Sequence, residues 1–235
     1  LPVRELACQV ASCEEVGGDV FRLRLQAPAG KVPRYHAGQY LLLQRDGDDY
    51  AAFSLASAPH RGRELELHVL ARDEATVELI AQLRRTGLVR VKMPFGDTHL
   101  AELPDGPLVL IAAGTGMAQM HSLIEHCRAA GFAHPVHLYW GARRPDDFYT
   151  LEHWAQWQQV PNLFLHQVVS DQCGWQGRCG LLHEAVREDF PSLKALHVYA
   201  SGSPAMVYAT LDALVEAGMD AHQMRADVFA YAPRG

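Results

Sequence analysis

The segment Ile111-Ala-Ala-Gly-Thr-Gly-Met117 has the spacing of a ligand-binding turn. A strand that ends in Gly-x-Gly before a helix aims backbone N–H groups and the positive end of the helix at an anion. Glycine also lets a phosphate come close to the main chain. The third glycine of the dinucleotide fingerprint is missing, because Gln119 stands in its place, so the segment by itself equally suits a ligand-free turn. Other chemistries find less support. The 13 histidines are scattered, His121 and His126 are five apart and so off a common helix face, and no H-E-x-x-H occurs. The five cysteines (Cys8, Cys13, Cys127, Cys173, Cys179) are odd in number and widely spread, which argues against a disulfide framework. None is spaced as C-x2-C or at the intervals of plant-type iron–sulfur sites, so no metal site is expected. No Ser-His-Asp or Cys-His arrangement stands out.

Two kinds of sequence position these residues. From Glu5 to about Pro94 the pattern alternates, as in Phe21-Arg-Leu-Arg-Leu25 and Glu64-Leu-Glu-Leu-His-Val69, with turns at Gly17-Gly-Asp19 and Asp46-Gly-Asp-Asp49. Short half-buried antiparallel strands of this kind predict a barrel or sandwich. One helix interrupts them from Glu74 to Arg85, with Val77, Ile80, Ala81 and Leu83 inward and a stop at Gly87. After a boundary at Leu100–Gly106, Pro107–Ala112 reads as a strand buried on both faces. Further strands are expected at Pro135–Trp140, Leu163–Val169 and Leu196–Ala200. Helices are expected at Met117–Ala130, Leu151–Gln158, Leu181–Asp189 and Pro204–Ala217. Alternating strands and helices imply a parallel sheet. In a chain of 235 residues and 26.0 kDa there is length for two modest domains. A net charge of −6 excludes the electrostatic footprint of a nucleic-acid binder. The most apolar run, Leu108–Ala113, is far short of the roughly 20 residues of a membrane span. No signal peptide opens the chain, so the cytoplasm is the default expectation.

Four further segments follow one another in a familiar order: His36-Ala-Gly-Gln-Tyr40, Tyr50-Ala-Ala-Phe-Ser-Leu-Ala-Ser57, Tyr139-Trp-Gly-Ala-Arg143 and Gly202-Ser-Pro-Ala-Met206. With the glycine turn, they make the chain resemble the bacterial NAD(P)H–flavin reductases of the ferredoxin–NADP reductase superfamily over essentially its whole length. The resemblance implies an antiparallel six-stranded β-barrel that holds flavin (1–103), followed by a Rossmann-like parallel sheet with flanking helices that holds NAD(P)H (104–235). Phe53-Ser54-Leu55 then lies along the isoalloxazine, and the Ser54 hydroxyl and N–H face flavin N5, where a donor stabilises developing charge. Gly38 and Gln39 are architectural. Gly114, Thr115 and Gly116 match the pyrophosphate loop. Gly141 permits close approach of the nucleotide, while Arg143 or Arg144 contacts the adenosine ribose or a 2′-phosphate. Arg178, in Trp175-x-Gly177-Arg178-x-Gly180, is a further nucleotide contact. Ser201 and Gly202 stand where the family has Cys-Gly beside the nicotinamide, Ser203 replaces a proline, and Met206 fills core. Arg225–Tyr231 matches the C-terminal strand, with Asp227 as its carboxylate and Phe229 or Tyr231 as the ring that shields the flavin.

One departure matters. The family's Arg-x-Tyr/Phe-Ser grips the flavin phosphate through its arginine, but here that position is Ala51, and the turn Ala71-Arg-Asp-Glu-Ala-Thr76 lacks the family's glycine. Thr76 or Arg72 substitutes only in part. Loss of such a charge-assisted contact costs about 1.5–3 kcal/mol. The expected activity is hydride transfer from NADH or NADPH to a loosely held flavin (FAD, FMN or riboflavin), which hands electrons on to a flavin-dependent oxygenase or another acceptor. Pro2–Cys8 also resembles the start of reductase components that carry bound FAD and an N-terminal iron–sulfur domain. That makes an electron-passing reductase component the alternative. Ala51 and Ser201 together leave room for a non-catalytic nucleotide-binding regulator.

Overall fold

The protein is described by a computed structural model covering residues 1–235. Its contacts divide into two compact units, Leu1–Ala101 with His121–Gly131, and Glu102–Met120 with Phe132–Gly235.

The first unit is built on strands β1 (Arg4–Glu15), β2 (Val20–Gln26), β3 (Tyr40–Asp46), β4 (Asp49–Ser54), β5 (Glu64–Leu70) and β6 (Leu88–Phe95). They form one antiparallel sheet in the order β4-β3-β6-β1-β2-β5. Period-two alternation puts Leu23 and Leu25, Leu41 and Leu43, and Leu65 and Leu67 on the inner face, where all six are fully buried. The expected barrel is in fact a half-barrel. No ladder joins β4 to β5; past Ser54 the chain turns, and a single backbone bond, Ala56 N–H to the Glu66 carbonyl (2.8 Å), links that turn to β5. Helix α1 (Glu74–Thr86) starts where Asp73 accepts from the Thr76 N–H at 2.7 Å and ends at Gly87, whose φ of +67° allows its N–H to reach the Leu83 carbonyl. Its inward stripe is Leu79, Ile80 and Leu83; Val77, expected inside, is 51% exposed at the rim.

The second unit is built on strands β7 (Leu108–Ala113), β8 (Val136–Ala142), β9 (Leu163–Val169), β10 (Arg178–Cys179), β11 (His197–Ser201) and β12 (Met224–Arg225). All are parallel, in the order β10-β9-β8-β7-β11-β12. The helices are α2 (Met117–Ala129), α3 (Trp154–Trp157), α4 (Leu182–Asp189), α5 (Pro204–Glu216) and α6 (Val228–Tyr231). The chain therefore agrees with the α/β grammar of its second half. The expected C-terminal strand does not form beyond Arg225. Asp227 takes helical φ/ψ, its carbonyl accepts from Ala230 N–H at 3.0 Å, and the Tyr208 hydroxyl ties down the Ala232 carbonyl at 2.8 Å. Cys173 and Cys179, given no bond by the sequence reading, form a disulfide because the β9–β10 loop doubles back and leaves their Cα atoms 5.1 Å apart. No helix is long and apolar enough to cross a membrane.

Candidate functional site

In the first unit the site is an exposed strand edge. Strand β4 is outermost in its sheet. The Leu55 N–H donates to the Gln39 carbonyl (3.1 Å), and Tyr40 pairs with Ser54 in the same register. Bonded and non-bonded pairs alternate in an antiparallel ladder, so the N–H and C=O of Ala52 and Ser54 point out of the sheet. The Ser54 side chain is half-buried and makes no hydrogen bond within the protein. Two donors on one residue, its N–H and its hydroxyl, are thus free at the edge. Phe53 projects to the opposite face, packs partly against the core, and shares that face with Ala51. Leu55 is fully buried, so only its backbone can line a ligand, not the side chain.

A buried polar network fixes the residues that follow. His121 Nδ1, on α2, donates to the Ala56 carbonyl at 2.7 Å, and Ser122 Oγ donates to the Ser57 carbonyl at 2.8 Å. The Ala58 N–H donates to Glu125 Oε1 at 2.8 Å. Arg61 forks onto Glu125 and also reaches Glu66 at 3.0 Å, while His68 Nε2 donates to Glu66 at 2.8 Å. Burial alone would raise the Glu66 carboxyl, but the His68 hydrogen bond and the Arg61 charge hold it well below the usual carboxylate range. Burial pushes His121 down to about 4, so it is neutral at pH 7. Gln39 bridges the His36 N–H (2.8 Å) and the Gly96 carbonyl (2.9 Å). Gly38, with φ +104°, leaves no room for a Cβ, which would lie 2.5 Å from the Thr98 carbonyl. Both residues are architectural, as the sequence implied.

In the second unit Gly114, Thr115 and Gly116 form a 3-10 turn between β7 and α2. The Gly114 carbonyl accepts from Trp140 Nε1 at 3.0 Å, and φ is +58°. A Cβ on Gly116 would lie 2.4 Å from the Ser201 carbonyl oxygen, and one on Gly202 would lie 3.2 Å from the Ala113 Cβ. These small residues therefore bring the ends of β7 and β11 together with the N-terminus of α2 above them. That arrangement fits a pyrophosphate. Gln119, which breaks the fingerprint, is buried and donates to Asp227 at 3.2 Å, so α2 also places the Asp227 carboxylate.

Several expected contacts fall elsewhere. Gly141 is buried, and a Cβ there would lie 2.8 Å from Leu182 Cδ1; its smallness serves the packing of α4 rather than a nucleotide. Arg178 is an internal clamp, bound to Asp189 (2.6 Å), Glu188 (3.2 Å) and the Ala185 carbonyl (3.2 Å). Arg143 is paired with Asp171 at 2.7 Å. Thr76 serves the cap of α1, and Arg72 pairs with Asp19 at 3.1 Å, so neither is a free phosphate grip. In the C-terminal helical turn Phe229 packs on Tyr208, while Tyr231 is 64% exposed. The sequence reading missed the Gln119–Asp227 contact and the His121–Glu66 network. Only Gln119 left a trace, as a polar residue where a glycine belonged.

Comparison with known proteins agrees with these features. The profile of the oxidoreductase NAD-binding domain matches residues 110–212. The NAD(P)H-flavin reductase of Vibrio harveyi is 32% identical over 96% of this chain and 99% of its own length. The reductase component 2 of terephthalate 1,2-dioxygenase from Comamonas sp is 31% identical over 92% of this chain and 66% of its own. The crystal structure of an Amycolatopsis cytochrome P450 reductase superposes with a TM-score of 0.88 at 29% identity, over 96% of this chain and 70% of that one. The free edge at Ser54, the glycine turn before α2 and this near full-length similarity lead to one conclusion: the chain belongs to the NAD(P)H-flavin reductase family of oxidoreductases.

Proposed function

We propose that this chain passes a hydride from NAD(P)H to a flavin that binds chiefly through its ring and departs once reduced. The observation that carries this reading is a contrast within the first unit. Donors for the flavin ring are free at Ser54, whereas every candidate grip for its phosphate is absent or occupied. Ala51 has no charge, Arg72 is neutralised by Asp19, and the N-terminus of α1 already holds the Asp73 carboxylate. In this reading residues 1–103 take the flavin and 104–235 the nicotinamide nucleotide. When bound, the flavin supplies the redox chemistry, taking up the hydride of nicotinamide C4 at its N5. Ser54 places an N–H and an O–H where negative charge grows. Gly114–Gly116 and the first turn of α2 hold the pyrophosphate, and Ser201 and Gly202 lie beside them at the end of β11, where the family resemblance puts the nicotinamide. No acid–base pair is required.

Equilibrium titration of the flavin-free chain with riboflavin, FMN and FAD tests the reading. Since a charge-assisted phosphate contact is worth about ten- to a hundredfold in affinity, its loss leaves the three flavins within about tenfold of one another. Nanomolar FAD binding beside weak riboflavin binding overturns it. A second reading, a reductase component that keeps FAD and feeds a partner such as an oxygenase, has the similarity to the dioxygenase reductase and the P450 reductase in its favour. Yellow protein as purified, with NADH:dye activity independent of added flavin, is its signature.

A further inference from the structure

We propose that the Cys173–Cys179 disulfide is a thiol–disulfide exchange site through which a dithiol reductant weakens the binding of the nicotinamide nucleotide. The inference rests on the reading above in taking the Gly114–Gly116 turn to hold the nucleotide's pyrophosphate.

The chain directs exchange to this pair. Cys173 and Cys179 are both exposed, with Cα atoms 5.1 Å apart at a sequence separation of 6. Cys8 and Cys127 are buried, and burial pushes their thiols up to about 11 and about 12, so neither offers a thiolate at neutral pH. Cys13 is half-buried. The reductant supplies the electrons. One of its thiolates attacks a cysteine sulfur, the S–S bond breaks, and the other cysteine leaves as a thiolate that takes up a proton. The second thiol of the reductant then displaces the bonded cysteine, which is protonated in turn. Two electrons have passed to the chain, which ends with two thiols, and the reductant ends as a disulfide.

The segment that reduction releases is bounded on both sides. Before it, the Ser170 N–H donates to the Ala142 carbonyl at 3.1 Å and the Asp171 N–H to the Arg143 carbonyl at 2.9 Å, which ties the chain to the end of β8. After it, Arg178 is bound to Asp189 and Glu188 on α4, and the Gly180 N–H donates to the Val169 carbonyl at 2.9 Å. Between these anchors the disulfide closes the tip, 172–177, and Trp175 lies in that tip. Its ring covers Gly177, where a Cβ would have no room, and its Nε1 donates to the Arg178 carbonyl at 2.7 Å.

Three contacts within the second unit lead from the tip to the glycine turn. Trp175 stacks on Phe148, with centroids 5.9 Å apart and planes at 30°. Phe148 meets Trp140 edge to face at 4.9 Å, and Trp140 Nε1 donates to the Gly114 carbonyl at 3.0 Å. The disulfide is the two-state element, and the rings carry its state to the turn. With the S–S bond closed, Trp175 is pinned against Phe148 and the turn is preorganised. With it open, the tip gains conformational freedom, the stack is made only part of the time, and the turn must be ordered at the moment of binding.

Calorimetric titration of the flavin-free chain with NAD+ and with NADP+ tests this, on protein oxidised with glutathione disulfide and on protein reduced with dithiothreitol and then freed of it under argon. Native alkylation followed by mass spectrometry reads the thiols in each preparation. Cys173 and Cys179 are expected to be unlabelled in the oxidised chain and labelled in the reduced one. The reduced chain is expected to bind the preferred nucleotide about three- to tenfold more weakly, the worth of one aromatic contact. The double variant Cys173→Ser/Cys179→Ser is expected to show the weaker affinity in both preparations, and Trp175→Leu to lose the difference between them. Labelling of either cysteine before reduction, no labelling after it, equal affinities in the two states of wild type, or a serine variant that still responds to reductant overturns the proposal and leaves the functional reading standing. Failure of both states to bind either nucleotide overturns that reading as well.

Discussion

Ser54 combines two properties that seldom coincide inside a folded sheet: it belongs to a regular strand, and both of its donors are unpaired. A buried donor without a partner would be costly, but at a half-exposed edge water satisfies it until a ligand replaces the water. Ser54→Ala removes one of the two donors and leaves the N–H. The expected result is a fall of about tenfold in kcat/KM, alike for riboflavin, FMN and FAD, since the hydroxyl acts on the ring all three share. Thermal stability is expected to stay within experimental error of wild type, because the hydroxyl bonds to nothing in the protein. Steady-state kinetics with the three flavins checks this, and unchanged kcat/KM refutes the role. Gly141 shows the opposite case. Its position invites a nucleotide contact, yet the atom it makes room for belongs to Leu182.

At the scale of elements, the nucleotide turn depends on how closely β11 approaches the first residues of α2. The two outer glycines of that turn are glycine for different reasons. Gly116 faces the Ser201 carbonyl, backbone that cannot move aside, and a Cβ would sit 2.4 Å from it. Gly114 has open space around it, and only its φ of +58° favours glycine. Gly114→Ala is therefore expected to cost about 1 kcal/mol. Gly116→Ala is expected to cost about 3 kcal/mol and to raise the KM for NADH severalfold, because the turn must move to clear Ser201. Denaturant unfolding and NADH kinetics on both variants check the order; equal losses would refute it. Helix α1 reinforces the chemistry of its own unit from another direction. Its N-terminus, a ready anion site in principle, is closed by Asp73, which removes one route to gripping a flavin phosphate.

At the scale of the molecule, each unit buries ionisable groups that make the fold sensitive to acid. His121 is held neutral by burial, the largest effect on it and only partly offset by the nearby Glu66, and it titrates at about 4 against 6.5 unperturbed. The unfolded chain takes up this proton below 6.5 while the native chain does not until about 4. The stability His121 contributes is thus complete above pH 6.5 and is lost as pH falls toward 4, amounting to about 2 kcal/mol at pH 5. His137 acts in the same direction: burial, then the neighbouring His166, lowers it to about 4, with its ring stacked on Phe164 at 4.5 Å. Glu66, lowered, adds its loss only below about 4.5, the carboxyl's unperturbed value. His121→Asn keeps a donor for the Ala56 carbonyl but cannot titrate. Its melting temperature is expected to fall less between pH 7 and pH 5 than that of wild type. Parallel slopes in scanning calorimetry would refute the assignment.

The sequence alone determined the alternating strands of the first unit, the helix stopped at Gly87, the buried parallel strand at Leu108–Ala113 and the turn at Gly114–Gly116. Each of these is a periodicity or a backbone requirement confined to a few neighbouring residues, and so it is visible without coordinates. The helical turn at 228–231 was not visible, because an alternating pattern suits a strand until Tyr208 and the Ala232 carbonyl are brought together. Tertiary structure decided which polar groups stay available. Ser54 is free because β4 is the edge of its sheet; Arg178 is engaged because α4 brings Glu188 and Asp189 to it. Arg143 and Asp171 meet because parallel strands end side by side, across a separation of 28 residues. Availability of a donor or a charge depends on partners distant in the chain, and only the fold determines which of them meet.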